Sequence, residues 1–137
     1  GVYLGGTGSA NKLDDYEEGD IDISTMYFAN SGSATSNSTY DTLRYVKVGG
    51  QVTITGNIFF DSVTSQNGAL KIPLPFANGT GQKFRTVGII GNFQSNTTTV
   101  VKIDSGQSFG LMVNPNLWST VAVAANQTYV FNVTYNT

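Results

Sequence analysis

Hydrophobic and polar residues alternate along several stretches of the chain, which is the pattern of half-buried β-strands. The alternation is clearest within residues 51–60, where the apolar positions are Val52, Ile54, Ile58 and Phe60. It returns near the end of the chain, where the apolar positions are Tyr129, Phe131, Val133 and Tyr135. We predict that both sets of side chains face the core, and that the polar residues between them face outward.

The segment 43–60 predicts a hairpin, and its turn predicts which residues of the two strands face each other. Gly49 and Gly50 separate two β-rich runs, and two-residue hairpin turns favour glycine because they need positive φ angles. This turn sets Tyr45 opposite Ile54 and Lys47 opposite Val52. The first strand then carries apolar residues on both faces, so we expect cover on both sides, by another subunit for example, or else a longer turn with a different register.

Other stretches predict further strands separated by polar loops. We predict one strand over 20–29, with Ile21, Ile23, Thr25 and Tyr27 on one face and Asp20, Asp22, Ser24 and Met26 on the other. We predict an edge strand in 69–76, a strand buried on both faces in 84–93, and a hairpin formed by 99–104 and 108–113. The expected loops are 29–40, 62–68, 77–83, 93–99 and 114–120.

About eight strands at roughly ten-residue spacing predict an all-β fold, an antiparallel β-sandwich of jelly-roll type. Residues 1–12 are rich in Gly and Ser and show no apolar period. We therefore divide the chain into an extended neck, 1–19, and a β-sandwich tip domain, 20–137. Because the chain opens on Gly1-Val2-Tyr3, with no start Met or signal peptide, we expect it to have been cut from a longer protein.

Composition excludes several classes of function. The chain has no Cys and no His, so it has neither a thiolate nucleophile nor a His-based triad or zinc site. Charged residues make up only 12%, while Ser, Thr and Asn account for 42 of 137 residues. A net charge of −2 without a basic run argues against nucleic-acid binding, and no apolar stretch is long enough for membrane insertion. We expect no cofactor.

Six of the nine acidic residues lie within positions 14–22, namely Asp14, Asp15, Glu17, Glu18, Asp20 and Asp22. One interpretation is a solvated neck. A second is a calcium site, for which the candidate ligands are Asp14, Asp15, Asp20 and Asp22, although their spacing is not that of an EF-hand loop. A third is a pair of catalytic carboxylates. We favour the neck, and predict no metal and no catalytic residue. We also expect a neighbouring Lys or Arg to relieve the repulsion between Asp20 and Asp22.

Three segments carry a more specific signal: GGTGSANKLDDYEEGD at 5–20, RYVKVGGQVTITGNI at 44–58 and GALKIPLPF at 68–76. Together and in this order they resemble the C-terminal domain of bacteriophage tail fibres. The resemblance implies an extracellular virion appendage, the distal tail fibre. It also implies a homotrimer with a β-rich tip that meets the host cell surface.

The candidate ligand-binding residues are Trp118 with Asn114 and Asn116, in the loop 114–120. An aromatic ring can stack on the apolar face of a sugar, while Asn amides bind its hydroxyl groups. The alternative is that Trp118 covers the end of the sandwich or packs across a trimer interface. Tyr40 and Arg44 form a second candidate pair of the same type.

We therefore predict a non-enzymatic receptor-binding domain that recognises a host surface glycan or another outer-membrane component. Three copies of a weak site would gain avidity in a trimer. An alternative is a structural domain that trimerises and caps the fibre without touching the receptor. A third hypothesis, a capsule depolymerase, needs a pair of carboxylates across a sugar cleft.

Overall fold

The computed structural model describes residues 2–3, 5–8, 12–13, 15–95, 98–116 and 118–137. These residues form antiparallel strands and one short 3₁₀ helix, Gln82–Phe84. The strands are β1 (Val2–Tyr3), β2 (Lys12–Leu13), β3 (Tyr16–Asp22), β4 (Thr25–Tyr27), β5 (Ser31–Ser36), β6 (Thr42–Val48), β7 (Gln51–Asn67), β8 (Lys71–Pro73), β9 (Thr86–Asn92), β10 (Thr99–Ile103), β11 (Phe109–Val113) and β12 (Thr128–Asn136). The predicted all-β class is confirmed.

The main sheet curls until it is almost closed. Its strand order is β3-β6-β7-β12-β9-β10-β11-β8. β7 is 17 residues long, and its two halves have different partners: the first pairs with β6 and β12, and the second pairs with β5. β5 pairs with β4, and a bridge from Phe28 to Leu70 joins this pair to the region of β8. The β4–β5 pair thus links the second half of β7 to the end of the sheet at β8, which almost closes a barrel-like sandwich.

The predicted hairpin is found with the expected register, and the terminal strand is found with the expected inward face. β6 and β7 pair Tyr45 with Ile54 and Lys47 with Val52, and Gly49 has a φ of 59° in the turn. β12 lies between β7 and β9 and alternates as predicted. Its buried side chains join those of the neighbouring strands in one core, whose fully buried members include Tyr135, Phe60, Ile23, Leu43, Ile54 and Ile58.

The predicted single strand over 20–29 is wrong, because the chain leaves the sheet in the middle of it. The Asp22 carboxylate accepts a hydrogen bond from the backbone N–H of Ser24 (2.8 Å), and the chain then starts β4 on a different partner. The interruption shifts the phase of the alternation. Ile23 and Met26 are both buried, whereas Tyr27, which we expected beside Ile23, is exposed.

Two segments predicted as loops are strands instead. Residues 31–36 form β5, and residues 62–67 are the second half of β7, which pairs with it. Both segments consist mainly of small polar residues, so their sequences show no apolar period. Ala34 and Ser36 are nevertheless buried, and the Ser36 hydroxyl donates to the Ile23 carbonyl (2.6 Å). Pairing with a distant strand decides the structure here.

β9 is covered on one face only, which corrects the prediction of burial on both. Its inner face is dense: a Cβ added at Gly88 would lie 2.5 Å from the Cβ of Val133. Its outer face carries Val87 and Ile89, which are 49% and 73% exposed, and Phe93 just beyond it is 77% exposed. We call these three side chains the β9 strip.

The sheet begins earlier than the predicted boundary between neck and tip. β3 starts at Tyr16 and pairs along its whole length with β6, so residues 16–19 belong to the sheet. In the predicted neck, β1 and β2 pair with each other. None of the described residues forms a helix long and apolar enough to cross a membrane.

Candidate functional site

The loop that follows β11 is folded around Asn114. The Asn114 carbonyl accepts the N–H of Trp118 (2.9 Å), its N–H donates to the Ser119 carbonyl (2.9 Å), and its side-chain Oδ1 accepts the N–H of Asn116 (2.9 Å). These bonds hold Trp118 at a φ of 53°, in the left-handed region that a bulky residue rarely enters. The indole is 48% exposed. Asn114 therefore positions Trp118, and its Oδ1 is already used in the turn.

Strand pairing brings three charged residues together beside this loop. β9 and β10 are antiparallel, with Val87 opposite Lys102 and Thr86 opposite Ile103. One step further along this register, Arg85 lies opposite Asp104. Because side chains alternate along a strand, Lys102 and Asp104 share a face with each other and with their cross-strand neighbours.

The three charges form a linked group in contact with the indole. Arg85 Nε lies 3.0 Å from Asp104 Oδ1, and Lys102 Nζ lies 3.1 Å from Asp104 Oδ2. Lys102 Nζ also lies 5.9 Å from the centroid of the Trp118 ring, within the range of a cation–π contact. The carboxylate thus holds both cations in defined positions, one of them against the aromatic ring.

These residues line an open groove of about 570 Å³. Its lining residues are Arg85, Thr86, Val87, Lys102, Ile103, Asp104 and Trp118. The groove combines an exposed aromatic face, hydrogen-bond donors and one acceptor group. We call it the Trp118 groove.

Asn78 supports the groove from inside the protein. It is buried, and its Nδ2 donates to the carbonyls of Phe84 (2.7 Å) and Asp104 (3.0 Å). One bond anchors the residue just before Arg85, and the other anchors Asp104 itself. Asn78 therefore fixes the backbone at both ends of the Arg85–Asp104 ion pair.

Tyr40, in the bend before β6, and Arg44, on β6, lie away from the groove. Tyr40 packs against Phe59, with 5.8 Å between the ring centroids. Arg44 is on β6, four strands from β10 in the sheet order, and its Nη2 lies 3.6 Å from Glu18 Oε2. The structure does not bring this pair to the Trp118 groove. Asn116, in contrast, lies in the same exposed turn as Trp118.

The acidic segment is engaged with its own neighbours. Asp15 pairs with Lys47, Asp20 lies opposite Arg44 on β6, and Asp22 binds the N–H of Ser24. The hydrogen bond from Ser24 lowers the pKa of the Asp22 carboxyl. Asp14 lies outside the described residues, among which no group of three or more potential metal ligands is found. Arg44, opposite Asp20 on β6, makes its ion pair with Glu18.

A second, smaller groove of about 320 Å³ lies on another part of the surface. Its lining includes the exposed ring of Tyr27, together with Lys71 and Phe109. Lys71 Nζ lies 5.2 Å from the centroid of the Phe109 ring. We call it the Tyr27 groove. It offers an aromatic contact of the same general kind, without the linked ion pairs.

Sequence reasoning missed Arg85, Lys102 and Asp104. The alternation in 99–104 does set Lys102 and Asp104 on one face of a strand, which is a usable signal. The partner strand and its register were not predictable in the same way, because β9 and β10 are joined by a polar loop rather than a tight turn.

No protein-family model, no curated protein and no solved structure matches the chain.

Proposed function

We propose that this chain is a non-enzymatic receptor-binding domain that attaches to a glycan on a host cell surface. The observation that carries the proposal is the half-exposed indole of Trp118, held beside a groove with charged hydrogen-bonding groups. A sugar ring offers an apolar face and a rim of hydroxyl groups. An aromatic platform flanked by a few fixed polar groups is complementary to both.

The groove favours binding over cleavage. Asp104 is the one acidic residue in its lining, and both of its carboxylate oxygens are in ion pairs. Glycoside hydrolysis by the usual route needs two carboxyl groups about 5–9.5 Å apart across the scissile bond. A single carboxylate held by two cations is suited to orienting side chains. Release of reducing sugar from bound polysaccharide would contradict a non-enzymatic role.

The wider setting of the proposal is the distal end of a phage tail fibre, outside the host cell. Its support is the resemblance of residues 5–20, 44–58 and 68–76 to that family. In a homotrimer Ile89 and Phe93 of the β9 strip, which lie outside the groove lining, would be a natural contact for another copy, since both side chains are apolar and exposed. Three linked sites would then hold a cell more tightly than one.

A structural domain that trimerises and caps the fibre is the second candidate, and the β9 strip favours it. The two functions predict different results when this domain is exchanged between phages of different host range. Under the receptor-binding proposal, host range moves with the domain. Unchanged host range after the exchange would support the capping role and contradict ours.

The direct test is binding of the full chain to an array of bacterial surface polysaccharides, with the Trp118→Ala and Tyr27→Ala variants. Both substitutions remove a half-exposed aromatic ring that lines a groove, so they are matched in kind. We expect Trp118→Ala to weaken binding about fivefold or more, since an aromatic stacking contact contributes on the order of 1 kcal/mol or more. Tyr27→Ala should bind like the parent. No retained polysaccharide, or an equal loss in both variants, would refute the proposed site.

A further inference from the structure

We infer that the Trp118 groove selects saccharides that carry an anionic group, a carboxylate or a phosphate, with Arg85 and Lys102 binding the anion while the sugar stacks on Trp118. This inference rests on the proposed glycan-binding function and specifies its ligand. It concerns the charge of the sugar, which the proposed function leaves open.

The distribution of charge along the chain is the first argument. Residues 1–61 contain eight acids and three bases, whereas residues 62–137 contain four bases and a single acid, Asp104. The chain has a net charge of −2, yet its second half has a net charge of +3. The Trp118 groove is built entirely from this second half and carries two cations against one carboxylate. It is therefore a basic site on an acidic protein, and it attracts anions.

The geometry of Arg85 is the second argument. Its ion pair with Asp104 uses Nε, and no other ion pair of its guanidinium is found among the described residues. The terminal nitrogens can thus bind a further group while Nε stays on Asp104. A guanidinium presents parallel N–H donors that match the two oxygens of a carboxylate or phosphate. Asp104 keeps the guanidinium in place without using these donors.

The position of Lys102 is the third argument. Its Nζ lies between the Asp104 carboxylate, at 3.1 Å, and the Trp118 ring, at 5.9 Å from the centroid. Lys102 Nζ thus lies over the indole on the side of the groove, so a sugar that contacts the ring there has an ammonium group with donors to spare beside it. An anionic substituent on that sugar would lie within reach of Lys102 and Arg85 together. A neutral sugar would use the ring contact but leave both cations without a new partner.

Stability offers little reason for this cluster. Its side chains are all at least one-third exposed, and exposed ion pairs contribute little to the free energy of unfolding. Three charged side chains are nevertheless held in one arrangement beside a tryptophan whose backbone is itself in an unfavourable conformation. Local strain of this kind occurs preferentially at functional sites. A pre-formed binding site for an anion would account for this arrangement of charged side chains.

The test compares matched pairs of polymers on the full chain. Polygalacturonate is set against its carboxyl-reduced form, and a phosphorylated mannan against its dephosphorylated form, so each pair differs in charge and shares its backbone. We expect at least one anionic polymer to bind about tenfold or more tightly than its neutral partner, because charge-assisted hydrogen bonds are stronger than neutral ones. The pair that shows the preference tells carboxylate from phosphate.

The variants separate a specific site from general attraction. Arg85→Gln and Lys102→Gln should each remove most of the preference for the anionic polymer, whereas Lys83→Gln, which removes an exposed cation outside the groove lining, should keep it within about twofold. Circular dichroism and the urea midpoint check that each variant is folded. Equal loss in Lys83→Gln would mean general electrostatic attraction and would overturn the inference.

The outcomes distinguish this inference from the proposed function. If neutral and anionic polymers bind equally and Trp118→Ala abolishes both, the glycan site stands and the anion preference is refuted. If neither kind of polymer binds, and the surface polysaccharides of the array are not retained either, the proposed function itself fails. Binding of the anionic form that depends on Arg85 and Trp118 together supports both.

Discussion

Gly88 gives the sharpest test of how the sheet is assembled. It lies at the centre of β9, opposite Val101 on β10, and its inner side faces Val133 on β12. A Cβ at this position would lie 2.5 Å from Val133 Cβ, 2.7 Å from the Asn132 carbonyl oxygen and 2.8 Å from Val101 Cγ1. The Gly88→Ala substitution therefore forces two neighbouring strands apart. Gly91, on the same strand, is the matched control, because its nearest neighbour would be 4.0 Å away.

The expected change in the free energy of unfolding is the sum of two opposing contributions. Overpacking a core costs about 1–3 kcal/mol, and replacing glycine within a strand returns about 0.5–1 kcal/mol. At Gly88 one of the clashing atoms belongs to the backbone of a central strand, which moves little, so we expect a net destabilisation of about 2 kcal/mol. At Gly91 only the favourable term applies, and the variant should be as stable as the parent or slightly more so.

The assay is urea unfolding followed by tryptophan fluorescence and circular dichroism, at one fixed protein concentration because assembly shifts apparent stability. With a slope of about 2 kcal/mol per molar urea, Gly88→Ala should lower the midpoint by about 1 M. Gly91→Ala should leave it unchanged or raise it by up to about 0.5 M. Equal midpoints for the two variants would refute the position of β9 between β12 and β10.

Three further predictions address other parts of the fold. Burial raises the pKa of Tyr135 to about 12. The contribution of this hydroxyl to the free energy of unfolding is therefore present below the ordinary pKa of 10.0 and is lost as the pH rises towards about 12. Tyr135→Phe should flatten the fall of the urea midpoint above about pH 10, and an unchanged slope would contradict this. If the chain forms the proposed trimer, Ile89→Asp should leave the fold intact but abolish self-association in light scattering; a trimer that persists in the variant would remove Ile89 from the proposed interface. Asn78→Ala leaves two carbonyls without their donor and should cost about 2 kcal/mol in urea unfolding, whereas a loss below about 0.5 kcal/mol would count against those bonds.

The predictions that held rest on short-range rules. A two-residue glycine turn fixes which residues of the flanking strands face each other, and Tyr45 and Ile54 are paired as expected. Alternation fixes which side of a strand enters the core, as in the terminal strand. Where a strand is interrupted, the same rule fails: one turn at Ser24 was enough to exchange the environments of Met26 and Tyr27.

The candidate site was predicted only in part. Trp118 was singled out because it is an aromatic residue in a polar loop, and it does line a groove. Its charged neighbours escaped notice because Arg85 and Lys102 are far apart in sequence and meet only through the pairing of β9 with β10. Tyr40 and Arg44 were grouped by proximity in sequence, and each contacts a different neighbour in the sheet.

The amino-acid sequence by itself determined the all-β class, the hairpin register and the inward faces of the regular strands, because these depend on a period of two and on local turn geometry. The tertiary structure decided which distant strands pair. It recruited the polar segment 31–36 into the sheet, left the outer face of β9 uncovered, and joined Arg85, Lys102 and Asp104 to Trp118. Long-range pairing depends on how the whole core packs, which no short stretch of the chain specifies.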